Sequence, residues 1–245
     1  MLLGYQYLQS RQADENTVTQ LRLLFSDSQL TLSDQVDPLA PALNSMVLSR
    51  NTEAESDMAE ALLGEPAESA SQGGGIYSYS AAAGSLQFRS GGSFDGVELS
   101  LPVDDPEAFA RSFCEAFGYQ DLEVRLTGNS GSVAGVQYVA GVPILGCGVT
   151  LTFSRGNLTA VSGSHISLEN AALEDTEQLT CVSALTRFLD YRASAGVVCT
   201  QVTDASCVYA LQSSSSVLRL APVWRLETDT YSYLVDASSG EISRA

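Results

Sequence analysis

Apolar positions in this chain recur with two periods, and the points where one replaces the other mark its elements. Phe109, Phe113 and Phe117 stand four residues apart, which places all three on one face of a helix. Asp105 offers a carboxylate to the free N–H groups of the first turn, Pro106 suits the first helical position, and Gly118 ends the run. The period then falls to two. Strands are predicted over 122–127, 132–139, 148–154 and 158–164, with a hairpin turn at 155–157. The same order returns further on. Residues 175–178 read as a capping box, and Leu179, Val182, Leu185, Phe188 and Leu189 as an apolar stripe that Gly196 closes. Strands follow over 197–203, 207–211, 217–226 and 232–235.

Within the final segment, alternation puts Trp224 and Leu226 on one face and Val223, Arg225 and Glu227 on the other. Trp224 is therefore expected in the core, while Arg225 reaches the surface. Tyr231, Tyr233 and Val235 alternate likewise, and 236–240, ending in a glycine free to take positive φ, supplies a tight turn. The predicted core is Phe109, Phe113, Phe117, Leu179, Val182, Leu185, Leu189 and Trp224.

Earlier residues follow a less regular plan. Val18, Leu21, Leu24 and Phe25 predict a helix over 16–26, and strands are expected at 29–32 and 45–49. Thr52 followed by Glu55 reads as a capping box for a helix through Met58, Ala61 and Leu62 to Gly64. The Gly-, Ser- and Glu-rich stretch 64–75 reads as a loop, and 76–79 and 85–89 as strands. The expectation is an α+β protein: a smaller α/β module over 13–100, then two tandem helix-on-antiparallel-sheet units over 101–168 and 169–245.

Charge narrows the function classes. Twelve basic residues, all of them arginine, face 29 acidic ones, for a formal net charge of −17. Such a field repels phosphate backbones, so nucleic acid is not an expected partner. The five cysteines (Cys114, Cys147, Cys181, Cys199, Cys207) have no CxxC spacing and His165 is the lone histidine, so no metal and no cofactor are expected. Cys114 and Cys181 fall in apolar helical patterns as small hydrophobes. Cys199 and Cys207 could lie opposite each other on neighbouring strands, which leaves a disulfide open. His165, at a strand end, reads as a surface or capping residue. The Asp104–Asp105 carboxylates read as helix-start residues, and the triple glycine 73–75 as a turn, since it has no nucleotide-cradle spacing. No catalytic residues are assigned.

The opening 1–9 is apolar and aromatic, then turns polar at Ser10. Tyr5, Tyr7 and Leu8 suit either an amphipathic first turn or the place where a helix leaves a bilayer. Pro222 to Arg225, a paired strand, and then 235–242 ending in Gly240-Glu-Ile242 resemble the closing hairpin of the YycH/YycI family, an ending similar to that of PepSY-type domains. That family comprises membrane-anchored accessory proteins of a bacterial two-component system governing cell-wall metabolism. The resemblance implies tandem helix-on-sheet units, 1–12 as the end of a transmembrane helix and its linker, and an extracytoplasmic, non-enzymatic domain. Its implied partners are a sensor histidine kinase and a homologous accessory protein, met through Tyr5, Tyr7, Leu8 and Arg225. The alternative is a PepSY-like secreted module that binds or inhibits a peptidase.

Overall fold

The computed structural model describes residues 2–213 and 217–245, with side chains from residue 13 onward. Among these lie four helices, α1 (Leu2–Asp27), α2 (Thr52–Leu63), α3 (Pro106–Ala116) and α4 (Cys181–Ala195), and fifteen strands whose pairing is mostly antiparallel. The protein is α+β. Its chain forms two compact units, each assembled from separate segments: one from 1–45, 175–208 and 221–245, the other from 46–174 and 209–220.

In the first unit, α4 is the organising helix. Thr180, in extended conformation, accepts from the Ser183 N–H, and Gly196 (φ 66°) ends the helix in the left-handed region. The stripe that α4 buries, Cys181, Ala184, Leu185 and Phe188, packs with Val202, Trp224, Leu226, Tyr233 and Val235 from the strands. Those strands run Leu218–Thr228, Ser232–Asp236 and Ile242–Arg244, with Trp224 opposite Val235 and Leu226 opposite Tyr233. Among the described side chains of α1, those that join this core are Leu21 and Phe25, in its C-terminal turns. From residue 13 to 20 every side chain of α1 is exposed except the half-buried Val18. No helix among the described residues is long and apolar enough to cross a membrane.

The second unit is built on a meander, Glu68–Gly73, Ile76–Ala81, Gly84–Arg89 and Ser93–Pro102, each strand antiparallel to the next. Ser93–Pro102 then pairs with Asn157–Ser164, which continues through Val142–Ser154 and Ser130–Val139 to Tyr119–Thr127. Helices α2 and α3 seal one core, with Met58, Leu62, Leu63 and Phe113 packed among Tyr79, Leu86, Phe94, Leu151 and Phe153. Asp105 caps α3 as its sequence predicts, accepting from the N–H groups of Glu107 and Ala108.

Several expectations are corrected. Phe109, Phe117, Leu179 and Val182 are half-buried, not buried; each packs against the rim of its core or, for Leu179, just ahead of α4. The α2 cap is Asn51, whose Oδ1 accepts from the N–H groups of Glu53 and Ala54, because the Glu55 carboxylate is held by Arg50 instead of reaching back. Residues 175–178 form no capping box. Leu179 N–H donates to Ala237 O (2.7 Å) and the Gln178 amide to Ser45 Oγ (3.2 Å), which keeps this stretch out of the helix. The 64–75 stretch holds the Glu68–Gly73 strand, and Gln201–Ser213 is one strand where two were expected. Cys207 lies on that strand and Cys199 just before it, so they do not face each other across strands; all five cysteines are free.

Candidate functional site

The closing hairpin places one predicted contact residue. Trp224 is fully buried, and its indole N–H donates to Leu179 O at 2.8 Å. Arg225, on the opposite face, is partly exposed, and its Nε stands 3.0 Å from Glu227 Oε1. Ser232 Oγ donates to the other oxygen of that carboxylate. The turn at 236–240 closes on the Asp236 carboxylate, which accepts from the N–H groups of Ser238 and Ser239, while Gly240 (φ 75°) supplies the left-handed residue. Tyr5, Tyr7 and Leu8 fall in α1, and their side chains lie outside the described residues.

A second constellation, in the second unit, was not singled out by its sequence. Val133, Gly135, Gln137 and Val139 alternate inward on one strand, so Gln137 puts an amide on a core face, where it is almost fully buried. A polar residue at an inward position of an apolar alternation is the signal that could have found it. The amide is saturated. Its Oε1 accepts from Ile166 N–H (3.0 Å) and lies 3.0 Å from Cys147 Sγ; its Nε2 donates to Ile166 O (2.8 Å) and to His165 Nδ1 (3.1 Å). Cys147 also approaches Ser164 O at 3.3 Å, and Tyr119 Oη donates to that same carbonyl at 2.9 Å.

This network dictates a tautomer. The Ile166 N–H must meet the amide oxygen and the Ile166 carbonyl the amide NH₂, so the NH₂ end of Gln137 faces the imidazole, Nδ1 must accept, and the ring proton sits on Nε2. His165 is therefore not a surface residue. Its ring is half-buried between Phe117 and Tyr119, with centroids 5.9 Å from each. Burial lowers its pKa to about 4 and raises that of the Cys147 thiol to about 12, and it holds the Tyr119 hydroxyl well above its ordinary value. A cysteine nucleophile needs the opposite polarisation, thiolate beside imidazolium. Here burial favours the neutral form of both groups, and the hydrogen bonds of Gln137 and Tyr119 tie down the 164–166 backbone.

A cleft lies beside it, lined by Arg50, Asn51, Arg89, Gly92, His165 and Ser167. Its enclosed volume, ≈ 20 Å³, holds about one water molecule. The polar groups around it are partnered. Arg50 grips Glu55 with two contacts (2.7 and 2.9 Å), donates to the carbonyls of Gly75 and Phe88, and stacks 4.6 Å over Tyr77. Arg89 pairs with Asp95, and Asn51 Nδ2 donates to Glu169 at 2.6 Å. The arrangement clamps the start of α2 to the meander.

No protein-family model matches the chain, and no curated protein matches it significantly.

Proposed function

We propose that this chain is a non-enzymatic interaction domain: the extracytoplasmic part of a membrane-anchored accessory protein that modulates a sensor histidine kinase of a two-component system. The observation that carries the reading is the closing hairpin. The residues that bear the YycH/YycI resemblance form a paired unit, with Trp224 locked inward, Arg225 outward, and a third strand after the Gly240 turn. The finer architecture belongs to the same proposal. α3 is followed by four successive strands from Tyr119 to Ser164, and α4 by four from Gln201 to Arg244, once the short Ala172–Glu174 strand is set aside. That repeated order is what tandem helix-on-sheet units would leave. The neutral Cys147 and His165 favour a packing role over a catalytic one. The membrane attachment would precede the described part of α1, with Tyr5, Tyr7 and Leu8 at the bilayer exit.

The test is to produce the complete protein in membranes with the sensor kinase encoded beside it. The proposal expects co-purification and a change in kinase autophosphorylation, reduced when Tyr5, Tyr7 and Leu8 are replaced. If the kinase neither co-purifies nor changes its rate, while an extracellular peptidase is bound or inhibited, the PepSY-like reading replaces this one, since the same hairpin supports both.

A further inference from the structure

The sheet of the second unit ends in two edges that are built differently. At the Tyr119–Thr127 edge a β-bulge lies between Gln120 and Glu123, Asp121 takes φ 51°, and Glu123 and Arg125 pair along one face of the strand. Bend and charge make that edge a poor template for another strand. The opposite edge, Glu68–Gly73, has its irregularity only at its far end, between Ser71 and Gly73, where Gly73 takes φ 80°, so Glu68–Ser71 keeps a regular register and carries a single charge, on Glu68. Every residue in it is exposed on both faces, it carries no proline and no basic side chain, and among the described residues it pairs on one side alone, with Ile76–Ala81. Its outer row of N–H and C=O groups is open to an added strand.

We propose that Glu68–Gly73 is a docking edge at which an extended, basic segment of a partner protein adds as a further strand to the meander. Charge selects this occupant. A second copy of the chain would bring another formal −17 to the contact, whereas a basic segment is drawn to it. Glu65 and Glu68 flank the N-terminal end of the strand, while Arg50, which reaches the Gly75 carbonyl, and Arg89, opposite Ile76, are committed to Glu55 and Asp95. An arginine or lysine of the incoming segment therefore meets acid that the protein's own bases leave unopposed. Main-chain pairing supplies register, and the charge supplies selection. The inference stands apart from the kinase reading, because it names the partner by the chemistry of one strand.

The complete protein is mixed with a short synthetic peptide of alternating threonine and valine with arginine at both ends, and with its counterpart ending in glutamates. The arginine peptide should slow amide hydrogen exchange at residues 68–73, and the glutamate peptide should bind at least about tenfold more weakly. Successive N–H groups on a strand point to opposite sides, so of Ser69→Pro and Ala70→Pro the one whose N–H faces outward should abolish binding with the thermal midpoint held, while the other, which removes a ladder bond to Ile76–Ala81, should lower the midpoint. The double change Ser69→Lys with Ser71→Lys leaves the backbone donors in place and should weaken the arginine peptide by about tenfold, with the thermal midpoint held. Equal binding of the two peptides, protection confined to other residues, or binding that survives both proline changes would each overturn the proposal. Concentration-dependent self-association that protects 68–73 would also overturn it, by showing a second copy as the occupant.

Discussion

Replacing Gln137 by glutamate tests the strictest geometric claim made above. In the native protein the NH₂ end of Gln137 donates to His165 Nδ1 and Ile166 O, and both acceptors are fixed in place. Burial holds the folded imidazole near pKa 4, against 6.5 for an unperturbed histidine. The unfolded chain therefore binds a proton between these values that the folded one refuses. The stability contributed by the neutral ring is complete above pH 6.5, falls as pH drops from 6.5 to 4, and is gone below. The difference corresponds to roughly 3 kcal/mol across that window. Gln137→Glu removes the donor and presents a carboxylate to the Nδ1 lone pair. At pH 8, Ile166 O loses its partner and two acceptors face each other, a cost of about 1–3 kcal/mol. Protonation of the imidazole relieves it, so the His165 pKa should rise by several units and the pH slope between 4 and 6.5 should flatten or reverse. The protein has one histidine, so its NMR titration is a single set of imidazole resonances, to be read beside urea unfolding at pH 4 to 8. A native ring protonated at Nδ1, or a pKa unmoved by Gln137→Glu, would refute the reasoning.

Trp224→Ala should cost about 3–5 kcal/mol in chemical denaturation, and Trp224→Phe about 1–3 kcal/mol by stranding the Leu179 carbonyl. Arg50→Ala should destabilise by about 3–5 kcal/mol, because Glu55 is left nearly buried without its cation; Tm by calorimetry reads this. Gly240→Ala should cost about 1–2 kcal/mol from its left-handed backbone alone, more if the Arg187 guanidinium, which the new Cβ would meet, fails to move. Alkylation of the native protein at pH 8 should spare Cys147 and Cys181, whose thiols are pushed up to about 12, and label both on unfolding.

What the sequence disclosed were features written in neighbouring residues. The Asp105–Pro106 cap, the Gly64 and Gly196 stops, the Trp224/Arg225 division and the 236–240 turn all depend on spacing within one element. The misreadings arise where distant residues compete. Thr52 and Glu55 have the spacing of a capping box, but Arg50, two residues before Thr52, captures the Glu55 carboxylate. Residues 175–178 resemble a helix start until Ala237, far along the chain, takes the Leu179 N–H. A break was expected between 203 and 207, yet Val202, Ala205 and Val208 are all buried and the strand runs on. Glu68–Gly73 has neither apolar alternation nor a buried face, so its strand exists through its pairing with Ile76–Ala81. Gln137 was visible as a polar residue in an inward row, but its partners at 147 and 165–166 arrive only through sheet register.

Neither compact unit is a continuous stretch of chain, and this sets an order of events during synthesis. Leu21 and Phe25 are made long before the residues with which they share a core, Trp224, Leu226, Tyr233 and Val235. Most of the second unit, 46–174, emerges before them and can begin to close its own core. The apolar end of α1 must therefore wait until those later strands have been made, and contacts so far apart in sequence form slowly even once available. A stall or premature stop before residue 221 would release a chain whose first unit lacks Trp224, Leu226, Tyr233 and Val235 from the core that Leu21 and Phe25 enter, and such fragments should depend on chaperones far more than the finished protein does.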